Sequence, residues 1–238
     1  MASQTDELEA SIRELEAQIA TAGAEMRPLL EKQIEALRSL IKMLAAAQPA
    51  MEQAKLSRRP LSDEIVAFFR PEPPADVPAW IADDAAQASV TESMMRCPAG
   101  ARVYWNETSV ACAFPGVPGE VLSSAHGLTL HFRVDGRLSS QQYFERGCLR
   151  WSIEYHATGG RSTSGVYAST EPKIYIEHGL HTRWAPSGTI VHQAQYIAGK
   201  KHGWEKHWED DGYPIVATKW ADGREVETVN PLRTSISS

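Results

Sequence analysis

The sequence predicts an α+β protein in which an N-terminal α-helical hairpin or coiled coil precedes an antiparallel β-hairpin repeat that forms a meander or solenoid. Two observations predict this fold. Apolar residues recur at heptad spacing near the N-terminus, and glycines and aromatic rings recur at a period near 24 in the second half. We expect helices at 1–56, a proline-rich acidic connector with short helices at 57–96, a repeat domain at 97–230 and a tail at 231–238.

Two heptad seams lie in the helical region. The apolar positions of the first are Leu8, Ile12, Leu15, Ile19, Ala22 and Met26, and those of the second are Leu30, Ile34, Leu37, Ile41 and Leu44. Gly23 and Pro28 separate the seams, so the two stretches form either an αα-hairpin or one kinked helix that pairs between subunits. Either arrangement exposes apolar stripes, so we expect residues 8–44 to mediate a homo-oligomer, a hetero-complex or docking onto the rest of the chain.

The connector at 57–96 is rich in proline, a composition that favours extended chain over a packed domain. Ser62 is a helix N-cap signal before a short apolar stretch, and Pro78 opens a second short helical signal. Phe68, Phe69 and Trp80 would be unusual in a passive linker. Packing back onto the protein is the interpretation we favour, and binding of a protein partner is the alternative.

A four-copy repeat dominates the second half. Counting a leading glycine as zero, the frame is apolar at +1, aromatic at +5, glycine at +9, aromatic at +17 and glycine at +20. The copies lie near 127–149, 150–178, 179–202 and 203–226, and the second lacks glycine at zero and at +20. The frame residues are Gly127, Phe132, Gly136, Phe144, Trp151, Tyr155, Gly159, Tyr167, Gly179, Trp184, Gly188, Tyr196, Gly203, Trp208, Gly212 and Trp220.

Each copy of the frame predicts one β-hairpin. Positions +1 and +5 share a face of the first strand, and the +9 glycine closes the turn, as in Asp135-Gly136. Positions +11 and +17 have the same parity, which predicts that Leu138 lies on the same face as Phe144, and Ile190 on the same face as Tyr196. Because one hairpin cannot bury such a face alone, consecutive hairpins should pair edge to edge in a long twisted sheet, with the rings as its core.

The copies that begin at Gly179 and Gly203 read roughly HGxxxxWxxxGxxxxxxYxxG, which resembles the MORN-repeat family, specifically the bacterial MORN-variant proteins often described as antitoxin components. The likeness spans 126–223, and the segment Cys97-Pro98-Ala99-Gly100 with Cys112 also looks like the lead-in of some bacterial members. The resemblance implies a β-meander solenoid used for scaffolding, dimerisation or partner binding.

Sequence motifs for catalysis are missing: there is no HExxH, no GxSxG and no Walker or Rossmann glycine pattern. All histidines follow residue 125, but His126, His178 and His202 each precede a frame zero, which favours a structural role in a turn. His181 and His207 lack flanking acids or cysteines at known zinc spacing. We therefore expect no catalytic residue, no cofactor and no metal ligand.

Charge and cysteine content narrow the classes of partner and compartment. Residues 97–238 carry 14 basic and 14 acidic side chains, so the repeat region lacks the positive surface typical of nucleic-acid and anionic-membrane binding. The polar, acidic N-terminus and the lack of long apolar runs predict a cytoplasmic protein. Buried free thiols are the interpretation we favour for the three cysteines, and a Cys97–Cys112 bridge would require an oxidising compartment.

These features predict a non-enzymatic scaffold or adaptor that binds a protein partner through the repeat surface. The polar face of the sheet is the better place to seek recognition, and its candidate partner-binding residues are Lys200, Lys201, Lys206 and His207. The alternative is an antitoxin or immunity-type protein that neutralises a partner enzyme.

Overall fold

A computed structural model describes residues 4–56, 58, 60–115 and 125–232. Within these residues, three α-helices precede one antiparallel sheet whose eleven strands follow one another in chain order, so each strand pairs with its sequence neighbours. The helices are α1 (Gln4–Thr21), α2 (Arg27–Leu56) and α3 (Asp63–Phe68). The strands are β1 (Arg102–Trp105), β2 (Ser109–Ala113), β3 (Ala125–Phe132), β4 (Leu138–Glu145), β5 (Cys148–Tyr155), β6 (Arg161–Tyr167), β7 (Glu177–Trp184), β8 (Ile190–Ile197), β9 (Lys200–Trp208), β10 (Pro214–Ala221) and β11 (Arg224–Val229).

The four copies of the frame form the hairpins β3–β4, β5–β6, β7–β8 and β9–β10. The predicted edge-to-edge pairing into a long antiparallel sheet is confirmed. Between hairpins, Ala198-Gly199 and Asp222-Gly223 turn the chain with both residues at positive φ, the backbone that a two-residue type I′ turn requires. The sheet extends beyond the repeats, because β1 and β2 precede the first copy and β11 follows the last.

The glycine at frame zero lies at a bulge, not in a turn. Gly127, Gly179 and Gly203 have positive φ near the beginning of β3, β7 and β9, where the pairing with the preceding strand shifts register. The preceding histidines therefore lie within strands, so the turn role expected for His126, His178 and His202 is wrong. Positive φ suits a bulge as well as a turn, and the sequence pattern alone could not separate the two.

A second set of bulges contradicts the prediction that the +11 and +17 side chains lie on the same face of the second strand of a hairpin. Phe132 pairs with Leu138, and the residue before it, His131, pairs with Ser140. The strand β4 therefore holds one extra residue, Ser139, at its beginning. Leu138 joins the large core cluster while Phe144 joins a separate one. The same shift occurs at the beginning of β8. The prediction of a shared face for positions +11 and +17 is therefore wrong, because each bulge reverses the alternation between them.

The connector packs along one face of the sheet, which we call the covered face. Val77, Ile81, Val90 and Met95 are buried against apolar side chains of β2–β5. Toward the other end of the sheet, Ile65 and Phe69 from α3 and the residue after it pack on β8–β11. The connector thus has little secondary structure but is part of the core, since its apolar residues cover a face that a single sheet cannot bury alone.

Buried polar side chains of the sheet bind the connector backbone. The side-chain amide of Gln141 donates to the Ile81 carbonyl and accepts from the Ile81 N–H, at 2.7 and 3.1 Å. Gln193 makes the same pair of hydrogen bonds with the backbone of Glu72, at 2.8 and 2.9 Å. An extended segment has no partners of its own for these backbone groups, so the two glutamines satisfy them and fix its position.

The two N-terminal helices form an αα-hairpin that docks on the turns of the sheet. Arg38 on α2 pairs with Glu16 on α1 at 2.9 Å, so the two helices run antiparallel. Glu7 accepts hydrogen bonds from Ala157 and Thr158 in the β5–β6 turn, and Glu14 pairs with Arg133 after β3. The hairpin alternative is therefore the one that the chain adopts, and it packs on the repeat region.

The second heptad seam turns inward, since Leu30 and Ile34 are buried. A different apolar stripe of α2, formed by Leu29, Leu40 and Met43, is exposed; we call it the α2 stripe. Of the alternatives expected for residues 8–44, packing within the chain is the one that buries Leu30 and Ile34, and the α2 stripe remains as an exposed apolar surface.

Cys97 and Cys112 form a disulfide bond with a Cα–Cα distance of 5.4 Å, and Cys148 is a buried free thiol. The expectation of three free thiols is wrong, because pairing of β1 with β2 places Cys112 beside the segment that leads into β1. Within the described residues, no helix combines the length and the apolar character that crossing a membrane requires.

Candidate functional site

The face opposite the connector is polar and accessible over β6–β10, and we call this surface the open face. Side-chain alternation along each strand and pairing between strands define the residues of this face. One row across β7, β8 and β9 consists of His181, Ala194 and Glu205. The next row consists of Arg183, His192 and His207. The open face comprises Thr163, Tyr167, His181, Arg183, His192, Tyr196, Lys201, Glu205, His207 and Trp220.

Glu205 is the centre of the polar network on the open face. Its Oε1 accepts from Lys201 Nζ at 2.6 Å and lies 2.9 Å from His192 Nε2, while its Oε2 accepts from the Trp220 indole N–H at 2.9 Å. His207 Nε2 is 3.5 Å from the same Oε1. The carboxylate is almost fully buried, so these partners supply the polar contacts that burial removes.

The protonation states follow from burial and from these contacts. Burial alone would raise the pKa of Glu205, but the hydrogen bonds from Lys201 and His192 outweigh it and lower the pKa to about 2. Burial lowers the pKa of His192 and of His207, and Glu205 offsets only part of this effect. At neutral pH the centre therefore holds an ionised carboxylate beside two neutral imidazoles.

A ladder of rings adjoins this network. His181 contacts Tyr167 and Tyr196 with ring centroids 5.2 and 5.0 Å away, and its Nε2 lies 2.9 Å from the Val166 carbonyl oxygen. Gly165 makes this packing possible, because a Cβ at that position would come within 2.4 Å of the His181 ring. Burial raises the pKa of Tyr196 to about 12, so this phenol stays protonated and can donate a hydrogen bond.

A shallow cleft of about 240 Å³ lies beside the ladder. Its lining includes Glu154, Tyr167, Glu177, Arg183 and Tyr196. Acidic, basic and aromatic groups thus converge on one concave surface, a combination that suits a polar ligand or the side chains of a protein partner.

The aromatic rings of the frame do not all lie in the core, as predicted, but divide between the two faces of the sheet. Trp208 at +5 is buried on the covered face, where its indole donates to the Phe69 carbonyl at 2.9 Å. Tyr196 and Trp220 at +17 are half-buried on the open face. Three of the four +5 rings are therefore buried in the core, and three of the four +17 rings are half-buried and available to a partner.

The candidate partner-binding residues have different environments. Phe69 is buried, and Phe68 and Trp80 pack partly buried against the sheet, so the interpretation of packing back describes their positions in this structure. Lys200 is exposed. Lys206 is buried on the covered face, where it donates to the Phe68 carbonyl at 2.7 Å, so it does not lie on the polar face as we expected.

Lys201 and His207 lie on the open face. His192, Glu205, Tyr196 and Arg183 were not singled out as binding residues by sequence reasoning. The Ala198-Gly199 turn is a partial signal, because regular pairing on either side of it predicts that His192 lies opposite Glu205. The bulge near Gly203 then shifts the register by two residues and places His207 opposite His192, which the turn does not predict.

No protein-family model matches the chain, and no curated protein matches it in sequence. The family resemblance to MORN repeats therefore stays a prediction.

Solved structures with weak similarity to this chain include three protein assemblies. A Glycosylation Associate Protein (Gap123) complex from Streptococcus agalactiae is 15% identical over 53% of this chain and 22% of the matched chain, with a TM-score of 0.31. A GtfA/B complex bound to UDP and GlcNAc is 11% identical over 65% of this chain and 29% of the matched chain, with a TM-score of 0.32. Accessory secretory proteins 1, 2 and 3 of Streptococcus pneumoniae give 9% identity over 60% of this chain and 24% of the matched chain, with a TM-score of 0.31. This chain spans less than a third of the length of each matched chain, and these scores carry no functional argument.

Proposed function

We propose that this protein is a non-enzymatic scaffold or adaptor that binds a protein partner on the open face. The observation that carries the proposal is the difference between the two faces of the sheet. The connector covers one face and completes the core, whereas the other leaves half-buried rings and charged groups accessible over five strands. Tyrosine, tryptophan and arginine are the residue types enriched at the centres of protein interfaces, and Tyr196, Trp220 and Arg183 lie on this face.

The charge of the open face favours a protein partner over nucleic acid. Arg183 and Lys201 are balanced there by Glu205, and by Glu154 and Glu177 in the cleft. A surface that binds a phosphate backbone needs an excess of positive charge, and this surface has none. Mixed charges beside aromatic rings instead suit the complementary side chains of a folded protein.

The α2 stripe supports a second part of the proposal, that copies of this chain associate through the helical hairpin. Leu29, Leu40 and Met43 are each more than a third exposed and follow one side of α2. An apolar stripe on an exposed helix is covered by a second stripe in most helical assemblies. A homo-oligomer would present several open faces to one partner.

Affinity capture with the full-length chain tests the proposed partner surface. We expect the Tyr196→Ala/Arg183→Glu double variant to lose proteins that the wild type retains. A matched control is Tyr104→Ala/Arg224→Glu, which removes a ring and reverses a charge at exposed positions of β1 and β11. The control should retain the same proteins. Equal retention by all three chains, or equal loss in the control, would contradict the proposal.

The alternative function, neutralisation of a partner enzyme, would use the same surface. It predicts that a captured protein is an enzyme whose activity falls when this chain binds it. An assay of the captured protein with and without the chain distinguishes inhibition from scaffolding.

A further inference from the structure

Three side chains with metal-binding atoms converge on the open face. His192 on β8 lies directly opposite His207 on β9, and Glu205 is two residues before His207 on the same face. Their ligand atoms all lie within 4.8 Å of one another, with the Glu205 Oε1 2.9 Å from His192 Nε2 and 3.5 Å from His207 Nε2. Tetrahedral zinc with bonds near 2.1 Å separates its ligand atoms by roughly 3.4 Å, so small side-chain rotations suffice to match it.

The chemistry of the three groups suits a borderline-soft divalent cation. Metal ligands must be deprotonated, and at neutral pH an ordinary carboxyl group is ionised and an ordinary imidazole is mostly neutral. Two imidazoles and one carboxylate form a ligand set of known zinc sites. The backbone of paired strands holds the ligands, so little ordering is needed on binding.

The surroundings of Glu205 already resemble those of a metal-bound carboxylate. The Trp220 indole N–H fixes Oε2 at 2.9 Å, which leaves Oε1 directed toward the two histidines. Oε1 accepts from the Lys201 ammonium at 2.6 Å, so a cation already contacts the oxygen that would bind the metal. The Lys201 side chain is 32% exposed and flexible, and it can therefore swing away into solvent.

We propose that His192, Glu205 and His207 bind a divalent transition cation such as Zn²⁺, with the ammonium of Lys201 displaced from Glu205. The His207 side chain is 40% exposed, so the ion can enter from solvent and complete its coordination with water. This site does not depend on the proposed partner, because all three protein ligands come from one chain. It gives the repeat sheet a binding capacity that its sequence motifs do not indicate.

Calorimetric titration of the purified full-length protein with ZnCl₂ alone tests the site. We expect the wild type to bind one equivalent, and His192→Ala or His207→Ala to weaken binding at least about tenfold, as loss of a ligand requires. His178→Ala and His202→Ala, which remove exposed histidines of β7 and β9 that lie outside the cluster, should leave affinity unchanged. Failure of the wild type to take up one equivalent, or equal weakening in the His202→Ala control, would overturn the proposal.

A substitution of Lys201, which is not a metal ligand, tests whether the ion displaces the ammonium from Glu205. This test is valid even if the His192→Ala and His207→Ala variants fail to fold. Lys201→Met removes the competing ammonium, so zinc affinity should rise by up to roughly thirtyfold, the factor that a unit charge about 4 Å from a divalent ion is worth in a water-like dielectric. Lys200→Met, which removes an exposed lysine from the adjacent position, should change affinity little. Unchanged or weaker binding by Lys201→Met would show that the ion does not bind at Glu205.

Discussion

The covered face and the open face are built from the same repeat, yet they differ in almost every physical property. On the covered face, Leu128, Leu130 and Ile153 are fully buried beneath the connector. On the open face of β6–β10, half-buried rings surround an ionised carboxylate and neutral histidines. The comparison indicates that the repeat supplies one apolar and one polar face, and that the connector completes the core on the apolar face.

The bulges at the beginning of β4 and β8 allow one repeat to supply side chains to both faces. Without an extra residue near the beginning of β4 and β8, the +11 and +17 side chains would point the same way. With it, Ile190 packs under α3 while Tyr196 contacts His181 on the opposite side. One frame therefore supplies both an apolar core and a polar surface.

The largest effect on stability is expected where the connector meets the sheet. Phe69→Ala should lower the free energy of unfolding by roughly 3–5 kcal/mol, because the ring is 1% exposed and its loss leaves a cavity. Val66→Ala, on the exposed side of α3, the helix that precedes Phe69, should change the free energy of unfolding by less than about 1 kcal/mol. Urea denaturation measures both, and equal losses would mean that α3 is not held by Phe69.

A smaller effect is expected at the ring ladder of the open face. Gly165→Ala should cost roughly 1–3 kcal/mol, since the added Cβ would overlap the His181 ring. The cost should shrink when His181→Ala is introduced in the same chain, because the colliding ring is then gone. A double-mutant cycle by thermal denaturation measures this coupling, and strict additivity would contradict it.

The contacts of Glu205 should also appear in the pH dependence of stability. Because its folded pKa lies at about 2, below the ordinary value of 4.5, its stabilising contribution is fully present above pH 4.5 and is lost as the pH falls toward 2. The difference in free energy of unfolding between wild type and Glu205→Gln should therefore narrow over that window. A difference that stays constant between pH 6 and pH 3 would be inconsistent with the lowered pKa.

The α2 stripe should affect assembly with almost no effect on the fold. Leu40→Asp/Met43→Asp should reduce the mass measured by light scattering toward the 26.3 kDa of one chain, because a charge on each partner prevents the apolar stripes from meeting. Lys42→Asp, an exposed position on another side of α2, is the control and should keep the wild-type mass. A wild type that is already monomeric would refute the proposed self-association.

Much of the backbone could be predicted from sequence, because turn residues and hydrophobic spacing act locally. The glycine and aromatic frame predicted the antiparallel hairpins, and the heptad seams predicted the helices. The faces of the second strands could not be predicted, since one bulge residue reverses the alternation and leaves no clear mark in the sequence. The His192, Glu205 and His207 cluster was missed for the same reason, because it depends on cross-strand register.

The most direct test of the difference between the faces compares Trp208→Ala with Tyr196→Ala by urea denaturation of the full-length protein. Trp208 is 4% exposed beneath α3, whereas Tyr196 is half-buried on the open face. We predict that Trp208→Ala lowers the free energy of unfolding by roughly 3 kcal/mol or more and that Tyr196→Ala lowers it by about 1 kcal/mol or less. Equal losses in the two variants would mean that the open face is part of the core, and would contradict its assignment as a binding surface.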